Sequence, residues 1–89
     1  MQIEDEIRTD ILNRLRRARG QVDGVIAMIE DGRDCVDIVT QLSAAAKALD
    51  RTGFKIIANG IRQCVTEEPG AGQPNVTSAQ LEKLFMSLA

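Results

Sequence analysis

ILNRLRRARGQVDGVIAMI, residues 11–29, is the stretch that decides the fold. Its apolar positions Ile11, Leu15, Ala18, Val22, Val25 and Ile29 are spaced 4, 3, 4, 3 and 4 apart. That alternation keeps one stripe on one side of an α-helix, as in a coiled-coil seam. Leu12 and Ile26 widen the stripe. The spacing predicts a helix that opens near Glu4, where Glu4, Asp5 and Glu6 suit the positive end of the helix dipole. It stops at Gly32, which can take the left-handed conformation that closes a helix C-terminus.

Downstream, Asp34 reads as the N-cap of a second helix, with Asp37 at the third position as a shortened capping box. The seam of this helix runs Val39, Leu42, Ala46, Leu49, Gly53, Ile57, Gly60 and Cys64. Gly53 and Gly60 each cost about 1 kcal/mol relative to alanine in a helix interior, so another helix should approach closely there, or space is needed. The helix ends near Thr66, before the turn-rich run Glu67–Pro74 (EEPGAGQP). Thr77 and Gln80 form a capping-box pattern that opens a short third helix, with Leu81, Leu84, Phe85 and Leu88 on one face. The class is all-α: two long antiparallel helices and one short one, in a single domain of residues 1–89.

A two-helix hairpin encloses no core, and this chain of 89 residues has two Phe and no Trp or Tyr to anchor one. Two hairpins side by side complete a four-helix bundle, so a homodimer is expected. No apolar run is long enough to span a bilayer. The acidic start MQIEDEIRTD lacks the basic-then-apolar order of a signal peptide, which predicts a cytoplasmic protein and no membrane partner.

The chain has two cysteines, Cys35 and Cys64, and no histidine. In a reducing compartment such a pair favours thiol chemistry or metal binding over a structural disulfide. Twenty-nine positions along one helix hold the two about 43 Å apart. If they act together, they do so across subunits. Antiparallel second helices centred near Leu49 and Asp50 bring Cys35 of one chain level with Cys64 of the other. At a helix N-terminus beside Arg33, Cys35 reads as the attacking thiolate, with Asp34 and Asp37 opposing the charge, and Cys64 as the resolving thiol. The bland alternative, that both are apolar fillers, stays open on these residues alone. Two thiolates suit copper(I), whereas zinc wants four ligands, and Gly60, one turn before Cys64, adds no donor. A thiol enzyme is a further alternative, opposed by the missing histidine and by the lack of a catalytic-pocket pattern.

A net charge of −2 argues against indiscriminate nucleic-acid binding, yet residues 8–19 carry Arg8, Arg14, Arg16, Arg17 and Arg19 against one acid, Asp10. Lys47, Arg51 and Lys55 repeat every four residues on the second helix. In an antiparallel hairpin positions near 14 lie level with positions near 51, so the two patches merge into one basic surface. A merely solvated face is the competing account.

The segments Ile11–Arg17, Gly20–Val25, Met28–Asp37, Gln41–Ala44 and Cys64–Val65 resemble the copper-sensing operon repressor family across about residues 7–88. The resemblance implies a dimer of dimers that binds G/C-rich inverted repeats in double-stranded operator DNA. Release follows when an inducer occupies the inter-subunit cysteine site. It implies DNA contacts at Arg14 and Arg51; Arg17, Lys47 and Lys55 join them from the stripe. Where copper sensors of the family have histidine this chain has Gly60, and a tyrosine that often precedes the first cysteine is Asp34. Two cysteines without histidine resemble the sulfurtransferase-repressor branch. The implied function is a repressor with no cofactor, released when persulfide or polysulfide modifies Cys35 and Cys64 of a neighbouring chain closes a disulfide or polysulfide bridge. A copper(I)-responsive repressor using the same thiolates is the alternative.

Overall fold

The computed structural model describes residues 2–66 and 77–89, with side chains for 2–62 and 77–89. It contains α1 (Asp5–Glu30), α2 (Cys35–Thr66) and α3 (Ser78–Leu88), and no strand among the described residues. The all-α expectation holds. The Glu67–Pro74 turn lies outside the described residues.

The helix ends follow local chemistry. Asp5 and Glu6 occupy the first turn of α1, though its N-cap, Glu4, makes no side-chain cap bond. At the other end Gly32 has φ +71°, the left-handed region that its missing Cβ permits. Its N–H donates to Ile29 O at 3.1 Å while Arg33 N–H donates to Met28 O at 2.9 Å, the paired bonds of a Schellman closure. Asp34 then caps α2: its Oδ2 accepts from Val36 N–H at 3.0 Å. Asp37 does not return the bond as a capping box would; its carboxylate pairs with Arg33 at 3.5 Å instead. The α3 capping box is complete, with Gln80 N–H donating to Thr77 Oγ1 at 3.2 Å and Thr77 N–H to Gln80 Oε1 at 2.9 Å.

Helices α1 and α2 run antiparallel, as the cross-helix partners Glu4–Arg62 and Asp10–Lys55 show. Between them α1 buries Ile11, Ala18 and Val25, and α2 buries Ala45, Thr52 and Asn59, each set at intervals of seven. Ala18 and Ala45, both 1% exposed, let the helix axes approach. The two polar side chains buried among the described residues are satisfied: Thr52 Oγ1 donates to Ala48 O at 2.9 Å, and Asn59 Nδ2 to Gln2 O at 3.3 Å. The face of α2 that meets α1 is therefore not the seam read from the sequence. Val39, Leu42 and Leu49 of that seam are exposed. Its C-terminal half is covered by α3, where Ile57 and Leu81 form a buried pair flanked by Phe54 and Leu88. Gly53 makes room for this: a Cβ there would lie 2.6 Å from Leu88 Cδ1.

The molecule measures 59 × 25 × 12 Å, a slab about one helix deep. Stable domains bury apolar faces between two layers; a single layer leaves one open. Leu15, Val22 and Ile29 of α1 are exposed, like Val39, Leu42 and Leu49 of α2. No described helix is long and apolar enough to cross a membrane.

Candidate functional site

On α1 Asp10, Arg14, Arg17 and Gln21 follow one another at spacings of 4, 3 and 4, so they share one face. On α2 Lys47, Arg51 and Lys55 do the same. The antiparallel hairpin lays these faces side by side. Arg14, Arg17, Gln21 and Arg51 line one groove between the helices. It continues past Gln21 into a stretch lined by Thr40, Ser43, Lys47 and Arg51. In the other direction lies a third stretch with Asp10, Lys55, Asn59 and Arg62. All five basic residues singled out in the sequence thus line these three stretches, which together form a basic trough along the hairpin. By helical phase the exposed apolar stripe of Leu15, Val22, Leu42 and Leu49 falls on the opposite broad face.

Three further side chains shape the trough: Asp10, which the sequence shows only as the lone acid among the arginines, Gln21 and Arg62. Asp10 Oδ2 accepts from Arg14 Nε at 3.0 Å and from Lys55 Nζ at 3.3 Å. The Arg14 hydrogen bond, with help from Lys55, holds the Asp10 carboxyl below its ordinary value. Gln21 continues the spacing of Arg14 and Arg17, a signal that a search for charge passes over; its Oε1 is buried and makes no hydrogen bond among the described residues. Arg62 lies seven positions beyond Lys55, pairs with Glu4 at 3.8 Å and donates to Asn59 Oδ1 at 3.5 Å.

Cys35 is exposed at the first position of α2. The Arg33 guanidinium is directed to Asp37. Cys64 belongs to the last turns of the same helix, and its side chain is outside those described. Twenty-nine residues is about eight helical turns, so the two positions share a face of α2 about 43 Å apart. One chain does not bring its cysteines together.

Residues 7–87 match the family model of metal-sensitive transcriptional repressors. The chain belongs to this family. It is 39% identical over 61 residues to the copper-sensing transcriptional repressor RicR of Mycobacterium tuberculosis, covering 68% of this chain and 64% of that protein. It is 43% identical over 53 residues to the copper-sensing repressor CsoR of Mycobacterium ulcerans, covering 60% of this chain and 45% of that protein. To CsoR of Bacillus subtilis it is 33% identical over 75 residues, covering 84% and 74%. The chain thus spans less than two thirds of the first two of these relatives. No solved structure matches it. The family is one of repressors, and the thiol-enzyme alternative finds no support in it.

For a metal-sensitive repressor the donor set matters. Among the described residues no three His, Cys, Asp or Glu cluster as a metal site, and the whole chain has no histidine. Gly60 is buried, with no side chain to offer. The soft thiolate donors in the sequence are the two cysteines, Cys35 and Cys64. That set fits copper(I), a soft ion that selects thiolates, and does not fit zinc, which wants four ligands.

Proposed function

We propose that the protein is a DNA-binding transcriptional repressor, released from its operator when copper(I) is held by Cys35 of one copy and Cys64 of another. The observation that carries the DNA reading is the meeting of Arg14, Arg17 and Arg51, from two helices, in one groove. Guanidinium groups at that density recognise phosphate oxygens, and Lys47 and Lys55 extend the track. The copper assignment is supported by the printed names of the relatives and by the softness of the two ligands.

The exposed stripe Leu15, Val22, Ile29, Leu42 and Leu49 supports a homodimer that buries it as a four-helix bundle. In that arrangement antiparallel α2 helices set Cys35 of one chain level with Cys64 of its neighbour, and the basic troughs point outward. Two such dimers form the repressor, with a G/C-rich inverted repeat as its operator. Copper(I), when bound, supplies a link between two thiolates on different chains. Cys35 offers an exposed sulfur at a capped helix start; the rest of α2 carries any shift of that end to Arg51. A coupling of about 1–3 kcal/mol between thiol site and DNA is typical of such switches.

Anisotropy of a fluorescein-labelled G/C-rich inverted-repeat duplex tests this. Wild type should bind and be displaced by copper(I), while Cys35→Ser binds but is not displaced. Displacement of Cys35→Ser, or copper(I) binding unaffected by loss of either cysteine, removes the copper assignment.

The absence of histidine favours a second reading, with a persulfide as inducer. The Cys35 thiolate attacks the sulfane sulfur of R–S–SH, giving Cys35–S–SH and releasing R–S⁻. The Cys64 thiolate of the neighbouring chain then attacks Cys35 Sγ, forming the disulfide and expelling HS⁻. Intact mass after treatment with glutathione persulfide separates the readings: a covalent dimer supports this one, and an unmodified monomer rejects it.

A further inference from the structure

Asp10 is the single acid among five arginines between residues 8 and 19, and the fold places it inside the basic trough. One of its oxygens, Oδ2, takes hydrogen bonds from both helices: Arg14 Nε at 3.0 Å and Lys55 Nζ at 3.3 Å. The side chains stay open to water, at 49% for Asp10, 34% for Arg14 and 49% for Lys55. Ion pairs so exposed contribute little to folding, so stability does not account for an acid at this place.

We propose that Asp10 is a built-in competitor for DNA phosphate, which occupies Arg14 and Lys55 in the free protein and holds DNA affinity below what the trough would otherwise deliver. This rests on the DNA-binding reading above. A carboxylate offers a guanidinium the same charge-assisted bonds as a phosphate. A phosphate approaching Arg14 must therefore displace Asp10 or share the cation with it. The carboxylate also lies within one Debye length of any phosphate seated in that stretch of the trough, where its repulsion is only partly screened. Its lowered proton affinity keeps it charged throughout the neutral range. The benefit to a regulator is reversibility: weaker grip on DNA lets a modest coupling at the thiol site complete release.

The test is a set of anisotropy titrations of the labelled G/C-rich duplex against salt. Asp10→Asn should bind about threefold to tenfold tighter than wild type, with a slope of log K against log salt steeper by about one to two ions, as Arg14 and Lys55 each take a phosphate. Asp31→Asn removes the same charge about 32 Å along α1 and should change affinity less than about twofold. The Asp10→Asn gain should shrink in a Lys55→Met background, and Asp10→Glu should fall between wild type and Asp10→Asn. Circular dichroism melts confirm that each variant folds, and Asp10→Glu carries the test should Asp10→Asn fail to. Binding by Asp10→Asn no tighter than wild type overturns the proposal, as does an equal gain from Asp31→Asn. Wild type that binds no duplex removes the DNA reading, and this proposal with it; wild type that binds while Asp10→Asn matches it sinks the proposal alone.

Discussion

Lys55 Nζ lies 3.3 Å from Asp10 Oδ2, joining two helices across 45 residues of sequence, and this ion pair falls in the register that sets Arg14 beside Arg51. The electrostatics of the trough and the packing of the hairpin are thus written into the same pairing.

A pH dependence follows from it. The Asp10 carboxyl is held below its ordinary value, chiefly by the Arg14 hydrogen bond and then by Lys55. Its contribution to stability is present above the unfolded value, about 3.9, and disappears as pH falls through the lower folded value. Urea midpoints measured from about pH 5 to pH 2 should therefore drop more steeply for wild type than for Asp10→Asn. High salt should narrow the difference. Parallel curves at low salt would show that the pair adds nothing to folding stability.

The packed face between α1 and α2 and the open apolar stripe separate by mutation. Ala18 is 1% exposed against α2, so Ala18→Leu overpacks the hairpin and should destabilise it by about 1–3 kcal/mol, read by thermal or urea unfolding. Leu42 is exposed in the single chain. Leu42→Glu should leave helix content intact and shift sedimentation toward the monomer. Retention of the full assembly by Leu42→Glu would place the dimer face elsewhere.

Asp34 holds the start of α2 through Val36 N–H. Asp34→Ala should cost about 1 kcal/mol and fray the first turn. Cys35 heads that turn, so its rate of alkylation by iodoacetamide should change while that of a Gly32→Asn control follows global stability alone.

Docking of α3 depends on the gap at Gly53. Leu81→Ala removes a side chain 7% exposed and should cost about 2–3 kcal/mol. Gly53→Leu fills the space that Leu88 occupies and should release α3, seen as faster hydrogen exchange in Ser78–Leu88 with α1 unaffected. Gly53→Ala is milder: Leu88 is a flexible neighbour, and alanine regains about 1 kcal/mol of helix propensity.

Features set by near neighbours were legible in the sequence. The Gly32 closure, the Asp34 cap and the Thr77–Gln80 box each need only residues within a turn, and all three stand where the spacing puts them. The Lys47–Arg51–Lys55 stripe was equally readable, because a period of four is a helical property. The face of α2 toward α1 was not. Thr52 and Asn59 occupy it, and a search for apolar periodicity steps over them to Val39, Leu42 and Leu49, about a quarter-turn round the helix. Those residues carry an apolar stripe that a single chain leaves open. The role of Asp10 was not legible for another reason: it depends on the register of two helices, which no local pattern encodes.

One consequence of the 12 Å depth concerns leverage. With no second layer behind them, α1 and α2 present the basic trough on one broad face and the open apolar stripe on the other. A roll of α2 about its own axis swings Arg51 and Leu49 in opposite directions around a shared fulcrum. Whatever grips one side of such a plank turns the other with it.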